Sequence, residues 1–418
     1  MLGALGHGMS SLAWILHDKG FRVDGFDVKA TKSGVSKPYL HLTSQTTDLH
    51  DYDLCSYSSA FRNSTLLKAI RASKVEHRFE TVLNCFEGKS LIVVGGSHGK
   101  STVTALIAHC LNLLDSEPSF YIGANFIDSG RGGKFSNSSD FAVIESDESD
   151  GSILKAIPDY LVITNIDREH LPFWRSFTAL TLGFYSVSLV TKEKVFLGFW
   201  DFPNEIKSLS ALQKISDQNC DLKGVRVSKE GTYFTFRFNN RNFEGYIKFW
   251  GRVYAINAIL CFKVLWYLGF RCDAIFEAIS KYPGLTRRQE VFNYGSSTVI
   301  LDYAHHPKEI REMIQTFASL FGKNIIIFYQ PYRKQRVLTT LFSHKNLFQS
   351  YNAYCLEVQD ENKVDISFSQ RFARIVKADF CVDFEETLEK VLATGSHIII
   401  LGAGDIYDRA KKRLVRSD

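Results

Sequence analysis

The chain has 418 residues, 45% of them hydrophobic and 23% charged, with a formal net charge of +5 at pH 7. That length admits two or three domains, and that balance is the one of an ordinary globular protein. A charge this small, with no basic block interleaved with aromatics, speaks against nucleic acid, and the longest apolar run, residues 259–270, is interrupted by Lys263 and too short to span a membrane.

The opening segment MLGALGHGMSSLAWIL lacks a basic start and carries His7 among its apolar residues, so it reads as part of the fold and not as a signal peptide. Gly3, Gly6 and Gly8 precede a helical pattern at Leu12, Ile15 and Leu16 that stops at Gly20. The segment FRVDGFD then reads as a strand ending in Asp27, where a dinucleotide fold places its ribose acid. The glycine spacing is not GxGxxG, and only Met1 and Leu2 are available for a preceding strand, which is either vestigial or begins upstream. A third strand near residues 53–57 ends in Ser58 and Ser59, which either hydrogen-bond a ligand or form a plain loop.

Residues 91–110, LIVVGGSHGKSTVTALIAHC, carry the strongest signal. A short apolar strand leads into Gly95, Gly96 and Gly99, and then into apolar residues at helical spacing. Glycines there let the backbone turn tightly and aim its N–H groups at an anion, which a helix N-terminus also attracts. Lys100 supplies a charge for terminal phosphates and Ser101 a hydroxyl for Mg²⁺. The general pattern GxxxxGK[ST] wants glycine where Val94 stands, so only the shorter GxxGK[ST] from Gly96 remains.

Downstream, FAVIESDESDG is a buried strand running into Glu145, Asp147, Glu148 and Asp150. An acid at the carboxyl end of a strand parallel to the phosphate-loop strand is well placed to hold Mg²⁺. Asp147, Glu148 and Asp150 read equally well as exposed strand-end carboxylates. Another strand near residues 160–164 ends in Asn165, Asp167, Glu169 and His170. Alternation then replaces helical spacing, with a turn at Asn239 and Asn240, which predicts a small appended sheet whose aromatics serve packing. A helix from about Arg252 to Leu268 follows, and strand-helix alternation resumes from Gly284. There one strand ends in Asp302, Tyr303, His305 and His306, and another precedes Arg333 and Arg336. Adjacent histidines point in different directions, so one of the two is expected to be structural. The two arginines suit carboxylate or phosphate. Lys411, Lys412, Arg413 and Arg416 read as a solvated helix face. Eight scattered cysteines without a CxxC pair suit free thiols in a reducing cytosol, so the expected location is cytoplasmic.

GGSHGKST, ESDESDGS and TNIDREHL, in this order, resemble the Mur ligases. The likeness extends to GHGMS at residues 6–10, YSSA at 57–60, LTRRQE at 285–290, DYAHHPKEI at 302–310, QPYRKQR at 330–336 and LGAGDI at 401–406. It implies an α/β chain of three domains. These are a Rossmann-like UDP-sugar-binding domain over residues 1–88, with its first strand truncated, a P-loop-type ATP-binding domain with a small β-sheet over 89–283, and a Rossmann-like amino-acid-binding, closing domain over 284–418. The implied activity is ATP-dependent amide formation on the lactyl carboxylate of UDP-N-acetylmuramate through an acyl phosphate. In the nearest branch the amine is that of L-alanine. A sister branch attaches a ready-made peptide, and a degenerate, non-catalytic nucleotide-binding protein is the alternative of another class.

The resemblance also assigns residues. Gly96, Ser97, His98, Gly99, Lys100, Ser101, Thr102, Asn257, Arg288 and Asp302 would bind ATP. Lys100, His170, Arg288 and His305 would be catalytic, and two Mg²⁺ ions would lie on Ser101 and Glu145 and on His170. Gly6, His7, Gly8, Met9, Ser10, Asp27, Ser58, Ser59, Tyr303, His305, Arg333 and Arg336 would bind substrate. Departures stand at Val253 and Tyr254, where the family has a His-Asn pair on the adenine side, at Tyr332, where it has His, and near Glu357. The expected assembly is a monomer or homodimer.

Overall fold

The computed structural model describes residues 1–27, 38–43, 52–114, 116–168, 171–199, 202–209, 220–322, 324–360 and 364–415. Glu169, His170 and Arg416 lie outside the described residues. The chain divides into two compact units, one holding Met1–Arg226, Tyr233–Lys248 and Arg252–Pro283, the other Val227–Thr232, Phe249–Gly251 and Gly284–Asp418.

The first unit opens with α1 (His7–Asp18), which buries Leu12, Ile15 and Leu16 at helical spacing. Strand β1 (Asp24–Phe26) pairs in parallel with β2 (His41–Thr43), and β3 (Tyr52–Tyr57) with β4 (Ala72–His77). Leu2 alone bridges β1 and β3, in parallel with Phe26 on one side and Tyr57 on the other. Its neighbours complete the ladder: Leu2 N donates to Ser56 O at 2.9 Å and Gly3 N to Phe26 O at 2.8 Å. This bridge sets Leu2 between β1 and β3 and leads the chain to α1. Helix α2 (Arg78–Cys85) starts from a capping box in which His77 and Glu80 satisfy each other's backbone N–H groups.

A six-stranded sheet follows in the order β10-β9-β5-β8-β6-β7. Its strands are β5 (Ser90–Gly95), β6 (Ser119–Tyr121), β7 (Gly133–Lys134), β8 (Phe141–Glu145), β9 (Tyr160–Ile163) and β10 (Lys194–Leu197). Helices α3 (Lys100–Leu113) and α4 (Phe177–Val190) belong to the same layer system. Only β7 runs antiparallel to its neighbour. Ile92, Val93, Val94, Val143, Ile144, Leu161 and Val162 are fully buried, the continuous apolar pattern of a sheet covered on both faces. The register Val94↔Glu145 and Gly95↔Ile163 sets the carboxyl ends of β8, β5 and β9 side by side.

The appended sheet, β11 (Cys220–Ser228), β12 (Gly231–Phe238) and β13 (Arg241–Ile247), is ordered as consecutive hairpins. Asn239 and Asn240 turn the second one with φ of 47° and 61°, the double positive φ that a two-residue hairpin with matching twist requires. Phe234, Phe236 and Phe238 alternate onto the buried face, and Phe236 meets Phe262 edge to face at 5.2 Å. These aromatics pack against α5 (Arg252–Tyr267) and α6 (Cys272–Ser280).

The second unit is a sheet in the order β14-β15-β19-β16-β17-β18. Its elements are β14 (Glu290–Tyr294), β15 (Ser297–Asp302), α7 (Pro307–Phe321), β16 (Ile325–Gln330), α8 (Lys334–Thr339), β17 (Asn352–Cys355), α9 (Ile366–Val376), β18 (Asp379–Phe380), α10 (Phe384–Leu392), β19 (His397–Gly402) and α11 (Ile406–Leu414). Every pairing is parallel except β14 with β15. Helices alternate with its strands, so ligands of such a sheet gather at the carboxyl ends of β15 and β16. All eight cysteines are free thiols, and among the described residues no helix is long and apolar enough to cross a membrane.

Candidate active site

In the first unit Val94 is a fully buried strand residue, so β5 runs to Gly95 and the turn has only residues 96–99 before α3 begins. That is why the first glycine of the longer pattern is absent: its position lies inside the sheet. Gly96 has φ 132°, and a Cβ there would stand 2.2 Å from Thr164 Oγ1. The loop is held from β9's end. Asn165 accepts from His98 N at 2.9 Å through Oδ1 and donates through Nδ2 to His98 O at 2.9 Å, while Thr164 Oγ1 donates to the same carbonyl at 2.6 Å. Asp167 N donates to Ser97 Oγ at 2.9 Å. TNID is therefore the scaffold of the glycine loop between β5 and α3.

Lys100 Nζ donates to Gly96 O at 2.7 Å and to Glu148 Oε2 at 2.8 Å. Burial alone would lower this amine, but Glu148, Asp147 and Glu145 hold it above the ordinary lysine value. Burial pushes Glu148 up to about 7 against the pull of Lys100. Asp147 goes the other way: burial would raise it, and Lys100 with Arg78 brings it down to about 2. Ser101 Oγ donates to Glu145 Oε1 at 2.9 Å, and Glu145 Oε2 accepts from Gly123 N at 2.6 Å. Thr102 is buried in the first turn of α3. Asn257, buried on α5, lies against the loop, its Oδ1 3.1 Å from where a Gly99 Cβ would be. Val253 is exposed and Tyr254 buried in the turn before it.

At the amino edge Gly6 caps α1 without a side-chain bond and His7 is exposed. Met9 is in the core and Ser10 Oγ bonds Tyr39 Oη at 2.8 Å, so these two positions, like Gly8, turn their side chains or lack of one inward. Asp27 Oδ2 accepts from Leu5 N at 3.0 Å and so shapes the turn ahead of the helix. Ser58 begins the short turn after β3. Ser59 Oγ bonds His77 Nε2 at 2.9 Å and also donates to Asp150 Oδ2. Arg78 Nη2 stands 3.6 Å from Asp147 and 3.6 Å from Asp150. Asp147 and Asp150 thus join the segment after β8, whose Glu148 holds Lys100, to the residues that follow β3 and β4.

In the second unit Asp302 accepts from Gln289 N at 2.8 Å and Ala304 N at 2.7 Å, and burial pushes its carboxyl up to about 6 despite Arg288 and these N–H donors. Arg287 and Gln289, on either side of Arg288, both have positive φ, and the Arg288 guanidinium stacks over Tyr303 at 4.9 Å. His305 Nδ1 lies 3.1 Å from Tyr303 O and its Nε2 2.5 Å from Arg336 Nη1. A carbonyl can only accept, so Nδ1 carries the proton, Nε2 accepts from the guanidinium, and the ring is neutral; the tautomer is assigned from these partners. His306 instead caps α7 in a capping box with Glu309, which makes it the structural histidine of the pair. Arg333, at φ 62°, precedes α8, with its backbone N on Gln359 O at 2.7 Å and its guanidinium 5.3 Å from the Tyr332 ring.

The sequence reading missed Arg78 altogether, since one arginine at a helix start carries no signal, and left Glu148 undecided. The hint was the acid count in ESDESDG, too many carboxylates for one loop unless cations answer them. Among the described residues no group of three His, Cys, Asp or Glu side chains is close enough to hold a metal ion unaided.

Two family models match: the Mur ligase middle domain over residues 94–265, and the Mur ligase, glutamate ligase domain over residues 287–405. A UDP-N-acetylmuramate–L-alanine ligase of Aquifex aeolicus is 31% identical over 97% of this chain and 94% of its own length. One from Persephonella marina is 28% identical with the same coverage, 97% and 94%. The crystal structure of the UDP-N-acetylmuramate-alanine ligase of Thermotoga maritima superposes with a TM-score of 0.81 at 23% identity, covering 100% of this chain and 99% of that one.

Proposed function

The chain belongs to the Mur ligase family, and on that premise we propose that it joins L-alanine to the lactyl carboxylate of UDP-N-acetylmuramate, driven by ATP, in peptidoglycan precursor synthesis. The observation that carries this reading is the nearly full-length agreement with two ligases of that name, together with a phosphate loop whose Lys100, Ser101 and Glu145 meet at one sheet edge.

The reaction needs neutralised charge more than a protein nucleophile. A lactyl carboxylate oxygen attacks the γ-phosphorus of ATP, ADP leaves, and an acyl phosphate forms. The alanine nitrogen then attacks the acyl carbon, phosphate leaves, and the amide forms with loss of a proton from the amine. Lys100 is placed to offset the charge of the β- and γ-phosphates, with loop N–H groups and the α3 N-terminus around it. Ser101 Oγ and Glu145, hard oxygen donors 2.9 Å apart, would hold Mg²⁺. His170 would hold a second ion, an assignment that rests on the resemblance alone. Bound there, magnesium supplies charge neutralisation at the phosphates. Arg333, Arg336 and His305 offer a carboxylate-binding corner suited to the amino acid, and Arg288 and Asp302 are assigned to ATP. Gly6, His7, Gly8, Asp27, Ser58 and Ser59 line the end of the chain that would take the sugar nucleotide. Three domains, 1–88, 89–283 and 284–418, would divide this work.

Phosphate release from purified protein with ATP, Mg²⁺, UDP-N-acetylmuramate and L-alanine, each omitted in turn, tests the reading. Release is expected only in the complete mixture. Release that ignores the sugar nucleotide or the amino acid would refute it, and turnover with a tripeptide in place of L-alanine would point to the peptide-adding branch.

A further inference from the structure

Beneath His305 and Arg336 lies a chain of polar groups that the reaction itself does not use. Tyr329, at the end of β16, is 1% exposed, and so is His344. Tyr329 Oη is 3.3 Å from His305 O and 3.1 Å from His344 Nε2. His344 Nδ1 is 3.0 Å from Thr340 O and 3.2 Å from Thr340 Oγ1. Thr340 Oγ1 donates to Arg336 O at 2.9 Å, and Thr340 N donates to the same carbonyl at 3.2 Å. The carbonyl partner puts the His344 proton on Nδ1, so Nε2 accepts from the Tyr329 hydroxyl, which also faces His305 O. Burial holds His344 down to about 4, so the ring stays neutral at working pH.

Two phenylalanines would fill the same volume without burying a hydroxyl and an imidazole, which cost free energy unless fully bonded. What the polar version adds is a tie from Tyr329, which packs against His305 O, through His344 and Thr340 to the carbonyl of Arg336, the residue that meets His305 at 2.5 Å above it. We propose that Tyr329 and His344 are positioning residues that set the His305–Arg336 pair and thereby tune binding of the amino-acid carboxylate. This rests on the reading that His305 and Arg336 receive that carboxylate. With His305 Nε2 fixed as acceptor for one guanidinium N–H, the remaining fork of Arg336 keeps a set direction for a bidentate partner.

Tyr329→Phe removes one hydroxyl at constant volume, and His344→Phe removes the ring nitrogens. Steady-state phosphate release by the full chain is expected to show KM for L-alanine raised about tenfold in either variant, with kcat within about twofold and KM for ATP unchanged. The double variant should be no worse than either single one, because both cut the same relay. A merely structural role would lower the melting temperature and the active fraction, hence kcat, and leave KM for L-alanine where it was; that result would overturn the proposal. Arg336→Ala separates the two levels of the argument. If it leaves KM for L-alanine unchanged, the carboxylate reading fails. If it raises that KM while Tyr329→Phe and His344→Phe do not, the positioning role alone fails.

Discussion

Lys100 Nζ and Glu148 Oε2 stand 2.8 Å apart, and the glutamate side chain is wholly enclosed. In the proposed reaction Lys100 is a cation held in readiness by a buried acid, and an arriving phosphate would have to draw it away. Replacing Lys100 with Met is expected to cut phosphate release by about a thousandfold or more, as befits loss of a charge that acts in the transition state. The fold survives because Glu148, already pushed up to about 7 by burial, takes a proton when its cation is gone. Adding Glu148→Gln to Lys100→Met should then cost little further stability, whereas Glu148→Gln alone, which strands a buried ammonium, should destabilise by about 2–3 kcal/mol. Circular-dichroism melts beside the activity assay decide this, and additive losses would mean that the pair is not coupled.

The two loop glycines are expected to differ. A Cβ at Gly96 would meet Thr164 Oγ1 at 2.2 Å and Asn165 backbone oxygen at 2.8 Å, groups that hold the loop itself, so Gly96→Ala must push the scaffold apart. At Gly99 the nearest atom is the side-chain oxygen of Asn257 at 3.1 Å, and the penalty is chiefly that of φ 80°. Gly99→Ala should therefore cost about 1–2 kcal/mol with ATP binding weakened, and Gly96→Ala about 3 kcal/mol or more. Equal melting temperatures for the two would contradict the close approach at Thr164.

Much of this was legible because motif and element coincide. The run LIVVGG had to be a buried strand, the glycines a turn and VTALIAHC a helix, and β5 and α3 follow that pattern with Ser101 and Glu145 brought together. Asn239 and Asn240 signalled their hairpin by residue type alone. What stayed hidden depends on long-range pairing. Nothing near Arg78 in the chain announces that it will face Asp147 and Asp150, some seventy positions on. The Tyr329–His344 relay likewise looks like ordinary core in sequence, since an aromatic at a strand end is usually packing.

Asp302 gives a pH signature in the second unit. Its carboxyl is pushed up to about 6 by burial, against an ordinary 3.8. Between those values the folded chain keeps a proton that the unfolded chain has released, so this group's contribution to stability falls as pH rises from about 4 to about 6. Asp302→Asn cannot titrate. Its melting temperature relative to the parent should climb over that window, by the equivalent of about 3 kcal/mol, and run level above and below it. A difference that does not change with pH would show that the carboxyl ionises at its ordinary value and that the Gln289 and Ala304 N–H groups outweigh burial.

Lys263 tests the opposite sign in the first unit. It sits mid-helix on α5, 2% exposed, with Nζ on Leu197 O at 2.6 Å and over the Phe199 ring at 5.4 Å. Burial lowers its amine to about 7 from an ordinary 10.5. Below pH 7 the folded chain must carry the charge inside, and the full penalty applies. From about 7 to about 10.5 the unfolded chain binds the extra proton, so stability attributable to this residue rises with pH. Lys263→Met keeps the length and removes the charge, leaving the Leu197 carbonyl without this donor, a loss of about 1 kcal/mol. The variant should therefore be more stable than the parent by about 4 kcal/mol at pH 6, with the advantage fading as pH approaches 10. The site is within reach of this change: Gly198 N, next to Leu197, donates to Ile163 O at 2.9 Å, and a Gly198 Cβ would lie 2.1 Å from Thr164 O, whose hydroxyl holds His98. A variant that gains stability and loses ATP affinity would mark Lys263 as a strut of the phosphate loop, whereas a variant less stable than the parent at pH 6 would mean that the buried ammonium is better solvated by its neighbours than its enclosure implies.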